Sequence, residues 1–275
     1  MIVLGGSSRQ SLASLRGTLD EKLKRLSSNE CTALSSDLFA ALAALYSSVG
    51  LRRALTDPAR DHGSKADLIS DLFGNSLSAG ALSILGSAVA LRWSTPAQIA
   101  IALEQLAVEA EATAANSDGS LDRVEDELFI FGRLLIDNND LRLALNTTAD
   151  DADHKSALIS DLFGQKAAPS TTRLLVHLVN GMNGRSVEAT LAAYTHAVAA
   201  RRNRLVALVR SRVELSAAQH EKLVATLTKQ TGQPVHVNIE IDPGVIGGVA
   251  VRFADEVIDG TISTRLAEAG RALAV

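Results

Sequence analysis

Four carboxylates crowd one stretch near the C-terminal end of the chain: Asp242, Asp255, Glu256 and Asp259. Close-set acids are what a general acid and a general base require. Each of these stands near the end of an alternating apolar run, where an Asp side chain commonly fixes a turn by accepting a backbone N–H bond. Gly247-Gly248 has the backbone freedom of a phosphate loop. The Lys-Ser/Thr pair of such a loop is missing, however, and no helix is expected to start directly after it. Asp242, Pro243, Gly247, Gly248, Asp255, Asp259 and Gly260 are therefore read as turn-forming residues.

The remaining chemistry-bearing side chains are scattered. His62, His154, His177, His196, His220 and His236 come singly, without His-x-x-x-His or Cys/His ligand spacing. Neither catalytic residues, nor a metal, nor a cofactor is expected. Cys31 is the single cysteine, which excludes an internal disulfide and reads as a small apolar packing residue. The formal charge of −4 and pI near 5.9 provide no general basic field for a nucleic-acid backbone, so no nucleic acid is expected as partner. The longest uncharged run, residues 72–91, is broken up by Gly74, Asn75, Ser76, Ser78 and Gly80 rather than continuously apolar, and direct membrane insertion is not expected.

The elements that must position these residues are mostly helical. The chain has 275 residues, 47% hydrophobic but only 3% aromatic, with Ala, Leu and Val supplying most of the apolar share. Helical spacing recurs from residue 8 onward, for example at Leu12, Leu15, Leu19 and Leu23, and Thr95-Pro96 supplies the cap and first-turn proline of a longer helix. An internal repeat organises them. Residues 51–74 and 141–164 share 14 of 24 identities without a gap, at an offset of 90. The register extends to Leu38-Phe39 and Leu128-Phe129, and to Leu45 and Leu135. Two related six-helix-type bundles follow, over residues 1–110 and 111–204, sharing the helix that runs from Pro96 into the 110s.

From Leu205 the apolar period changes to two. A strand, a helix opened by the capping box Ser216-Ala217-Ala218-Gln219, two strands over 235–241 and 249–253, and a last helix make a β-α-β-β-α domain over 205–275. The fold class expected is mainly α with a small α/β C-terminal domain.

The C-terminal motifs Ile241-Asp242-Pro243-Gly244-Val245-Ile246-Gly247-Gly248 and Asp255-Glu256-Val257-Ile258-Asp259-Gly260-Thr261, with Arg265-Leu266, resemble the signature of the delta subunit of F-type ATP synthases. The mitochondrial counterpart of that subunit is the oligomycin-sensitivity-conferring protein. Leu121-Asp122-Arg123-Val124-Glu125-Asp126-Glu127-Leu128 resembles part of the family's N-terminal bundle. The usual member has one bundle, so the first copy here is similar to the duplicated bundle of a longer form. That form is expected here in its version unfused to a stalk subunit.

The resemblance implies a non-catalytic connector in the peripheral stalk, one copy per complex, at the cytoplasmic face of the bacterial plasma membrane. Its implied partners are the N-terminal helices of the alpha subunits on the catalytic head and the b subunit of the stalk. Leu103, Leu106, Leu174 and Leu178 are the candidate walls of the alpha groove, where Leu178→Asp is expected to weaken binding in a folded chain. Leu223, Leu227, Ile262 and Leu266 are the candidate stalk contacts. The alternative is a free-standing helical adaptor or chaperone-like binding module, distinguished by whether the chain co-purifies with alpha and b.

Overall fold

The structure, a computed structural model, describes residues 4–147, 152–201, 205–231, 235–245, 249–253 and 256–259. They form eleven helices, then a small mixed region. The helices are α1 (Gly6–Leu23), α2 (Ser28–Ser47), α3 (Val49–Thr56), α4 (His62–Phe73), α5 (Ala79–Ala90), α6 (Ala97–Ser117), α7 (Leu121–Asp137), α8 (Asn139–Asn146), α9 (Ala152–Phe163), α10 (Pro169–Asn180) and α11 (Val187–Arg201). Then come β1 (Leu205–Ser211), α12 (Ala217–Thr231), β2 (Val235–Ile241), β3 (Val249–Phe253) and β4 (Glu256–Asp259). The chain is mainly α with a small α/β C-terminal region, as its periodicity implied. It divides into two compact units, Met1–Val198 and Ala199–Val275.

Local chemistry explains where the helices start. Ser27 and Glu30 close a reciprocal capping box ahead of α2, and Asp61 and Ser78 cap α4 and α5 by accepting from Ser64 N and Ala81 N. Pro96 stands one residue earlier than expected, as the cap of α6 rather than its first residue.

The repeat is carried into three dimensions. Asp37 Oδ2 accepts from Ser78 N at 2.9 Å, and ninety positions on Glu127 Oε2 accepts from Ala168 N at 2.9 Å. Leu38 and Leu45 of α2 are buried like Leu128 and Leu135 of α7. The two copies nevertheless share one hydrophobic core, and α6 is its axis. Every residue from Leu106 to Ala112 is buried, so no face of that helix meets solvent there. The expected division between residues 110 and 111 thus falls inside α6. Small residues allow its neighbour α2 to approach closely: Ser35 Oγ donates to Ala107 O at 2.8 Å and Ser28 Oγ to Ala114 O at 3.1 Å.

In the second unit the strand order is β2-β1-β3-β4. β1 and β2 are parallel, with α12 as their crossover, and β3 pairs antiparallel with both β1 and β4. Val209, Leu227, Val235, Val237 and Val251 form the core. The alternation of β2 buries Val235 and Val237 but ends before Ile241, which is 48% exposed. β4 is a correction to the sequence reading, which placed only turns between residues 255 and 260. Val257 and Ile258 are adjacent and show no alternation, so pairing with the edge of β3, not local pattern, creates that strand.

Candidate functional site

The side chains chosen as walls of a helix-binding groove lie in the core. Leu103 and Leu106 on α6, and Leu174 and Leu178 on α10, are all at zero exposure. The first copy of the repeat accounts for this. Its helix α2 packs along α6, and its Phe39 ring stacks on the His177 imidazole of α10 with centroids 3.9 Å apart. Phe39 also meets Tyr194 of α11 at 6.2 Å. Periodicity identified the apolar stripes correctly but could not say which was covered by another copy of the same fold.

Sequence reasoning also missed the charges inside α6. Glu104, Glu109 and Glu111 are each 2% exposed, and each is met by an arginine from a different element at 2.6 Å. Arg16 comes from α1, Arg173 from α10, and Arg185 from the connection before α11. A buried carboxylate without a cation would cost several kcal/mol, so these pairs constrain how neighbouring elements seat on α6. Burial raises the Glu104 carboxyl above its usual range, against the pull of Arg185. Desolvation pulls Arg185 down, but the hydrogen bond and charge of Glu104, with Tyr46 and Tyr194, together hold it above its ordinary value. Burial, then the Glu104 charge, pushes Tyr46 up to about 12 and raises Tyr194 as well. The signal in the sequence was a glutamate at three places in the Ala- and Leu-rich stretch from Ala102 to Ala112.

Among the described residues, concavities open between helices at the surface of this unit. One, of about 680 Å³, lies between α7, α8 and α9 and is lined mainly by Ile130, Leu134, Leu141, Leu158, Leu162 and Phe163. Another, of about 330 Å³, lies between α2 and α10 beside Phe39, Tyr46 and His177. The first is apolar and shallow, the form of a groove for a helix rather than a pocket for a small molecule. Among the described residues no cluster of three or more His, Cys, Asp or Glu is placed to hold a metal ion. Among them, too, no single helix is long and apolar enough to cross a membrane.

In the second unit Leu227 is buried and Leu223 half-buried against the sheet. Ile262 and Leu266 lie outside the described residues. Asp242 does shape a turn: its Oδ1 accepts from Gly244 N at 2.8 Å, and Val245 N donates to its carbonyl at 3.1 Å across Pro243. Asp259 instead ends β4, paired with Ala250, because the β3 edge extends the ladder to it. Gly247, Gly248, Asp255 and Gly260 lie outside the described residues. The acids that opened the question of catalysis are therefore, where described, a turn residue and strand residues.

Such a molecule belongs to the class of mainly helical proteins with a duplicated bundle and a small α/β C-terminal unit. Residues 108–273 match the family model described as ATP synthase delta (OSCP) subunit. A Streptomyces coelicolor protein named ATP synthase subunit delta is 44% identical, over 98% of both chains. Proteins of the same name from Streptomyces griseus and a Parafrankia species are each 41% identical, over 98% of this chain and 100% and 99% of theirs. The chain belongs to the ATP synthase delta (OSCP) subunit family, in a long form whose first bundle these relatives share. A chain from the Toxoplasma gondii mitochondrial ATP synthase hexamer aligns at 22% identity over 61% of this chain and 97% of its own, with a TM-score of 0.37.

Proposed function

We propose that this chain is the connector between the catalytic head and the peripheral stalk of a proton-translocating ATP synthase. It holds alpha-subunit N-terminal helices at one end and the stalk b subunit at the other, one copy per complex, at the cytoplasmic face of the plasma membrane. The role asks for resistance to rotor torque and for no chemistry of its own. The observation that carries the reading is identity above 40% over nearly the whole length to proteins named ATP synthase subunit delta. A helical unit with a single shared core supports it, since a torque-bearing link has to transmit force without yielding. Joining two binding units in one chain raises the effective concentration for the second contact to about the millimolar range, so moderate sites give a lasting link.

On the head side, a groove walled by Leu103, Leu106, Leu174 and Leu178 requires α2 to move off α6, because all four are sealed in the isolated chain. On the stalk side, α12 with Leu223 and Leu227, together with Ile262 and Leu266, is the proposed contact. The test is affinity purification of the tagged full-length chain from membranes, with crosslinking. Stoichiometric recovery of alpha and b, crosslinked to the first and second units respectively, is the expected result. Recovery of the chain free of both would overturn the connector reading in favour of a free-standing adaptor.

A further inference from the structure

The duplicated fold carries its own reference for which apolar surface folding requires. On α2 the first copy has exposed Ala40 and half-buried Ala44; ninety positions on, α7 has Ile130 and Leu134. Opposite them the residues are the same in both copies, Leu68, Leu72 and Phe73 matching Leu158, Leu162 and Phe163. The first copy buries Phe73, whereas Phe163 is half-buried. Ile130 is 53% exposed and Leu162 41%, and both line the groove between α7, α8 and α9. Since alanines suffice at the equivalent positions, the larger aliphatic side chains on α7 are surplus to the packing of the bundle. Exposed apolar area that folding does not need marks an interaction face.

Charge says what the occupant is. Residues 121–167, which contain the groove, hold ten Asp and Glu against five Lys and Arg, a formal −5. The corresponding residues 31–77 hold five against four, a formal −1. The copy with the aliphatic groove is thus also the copy with the more acidic sequence; exposed Asp137 and Asp140 stand beside the groove end at Asn138, while the charged residues of the lining are Glu127, paired with Arg123, and a single cation, Lys166. A second copy of this chain would bring the same negative field to the face, and an anionic lipid surface would be repelled by it. We infer that the α7–α8–α9 groove is a docking site for a cationic amphipathic helix of another protein, its aliphatic stripe seated on Ile130, Leu134 and Leu162 and its Lys and Arg residues facing the acidic rim. The inference goes beyond the connector reading and stands apart from it, since it concerns a different face and a partner defined by its chemistry.

The experiment uses the full-length chain and two fluorescein-labelled helical peptides of about 18 residues, or five turns. Both carry the same Leu stripe at helical spacing, one flanked by Lys and Arg and the other by Glu. Fluorescence anisotropy is expected to show the basic peptide binding at least tenfold more tightly than the acidic one at low salt, with the gap closing as salt rises. The double variant Ile130→Ala, Leu134→Ala reproduces side chains with which the first copy already folds. It is expected to lose at least tenfold in affinity with unchanged circular dichroism, while Leu72→Ala in the first copy changes nothing. Equal binding of the two peptides, or undiminished binding by the double variant, would overturn the proposal. So would a dimer of this chain in sedimentation that the double variant abolishes, which would give the face to a second copy.

Discussion

His177 lies face to face with Phe39, the two rings 3.9 Å apart and 9° from parallel, and through this pair α10 of the second copy rests on α2 of the first. A stacked, half-buried imidazole is held neutral. Burial first, and the Arg173 charge second, lower its pKa from 6.5 to about 4.

This neutral histidine sets a pH dependence with a definite sign. The folded pKa is depressed, so the stabilisation is present above the unfolded value near 6.5. As pH falls from 6.5 towards 4, the unfolded chain takes up a proton that the folded chain refuses. Up to about 1.4 kcal/mol of stability is lost per pH unit in that window. His177→Phe keeps a ring against Phe39 and removes the proton site. Urea denaturation at pH 7 and pH 5 is expected to show a loss on acidification smaller by about 2 kcal/mol in the variant. His196, also lowered by burial, and Glu104, whose raised pKa acts in the opposite sense, are common to both proteins and cancel in the comparison.

Leu178→Asp has a different consequence from the one expected of a groove wall. At zero exposure the carboxylate enters the core, and a cavity is left where the isobutyl group was. Loss of about 4 kcal/mol or more is expected, a large share of a typical domain's stability. A thermal melt of the variant checks this. A native-like transition combined with lost alpha binding would restore the groove reading.

Arg173 and Glu111 form a pair in which only the arginine reaches solvent. Arg173→Met leaves the Glu111 carboxylate buried without its guanidinium and is expected to cost about 3 kcal/mol. Arg173→Met combined with Glu111→Leu is expected to recover most of that loss, because an apolar pair of similar volume has no charge to desolvate. A double-mutant cycle by chemical denaturation gives the coupling energy directly.

Gly74 and Gly164 occupy equivalent places after α4 and α9. A Cβ at Gly74 would overlap Ser70 O well inside van der Waals contact, and one at Gly164 would stand 2.5 Å from Ser160 O. Both acceptors are backbone atoms and cannot swing away. Alanine at either site is expected to cost about 1–3 kcal/mol. Gly86 inside α5 has open space at its Cβ, and Gly86→Ala is expected to stabilise by about 0.5–1 kcal/mol. Melting temperatures of the three variants test the difference in sign.

The amino-acid sequence alone determined the helices, their caps, the 90-residue repeat, the first three strands and the family. All of these are local or periodic: a capping box spans three residues, an amphipathic stripe repeats every turn, and a duplicated segment matches itself. Ser216 with Gln219 was legible for that reason, as was the turn at Asp242. What tertiary structure decided was coverage. Leu103, Leu106, Leu174 and Leu178 carry the same stripe whether they face a partner or the chain's own α2, and only the packing of the first copy onto the second settles which. Periodicity could not distinguish Ile130, exposed on α7, from Leu128, sealed two residues earlier, without knowing which neighbours stand beside that helix. That Glu104, Glu109 and Glu111 are buried and met by Arg185, Arg16 and Arg173, all distant in sequence, is decided by packing alone. β4 exists because β3 offers it an edge. In each case the deciding contact joins residues far apart in the chain, and the free energy of that contact is absent from any local pattern.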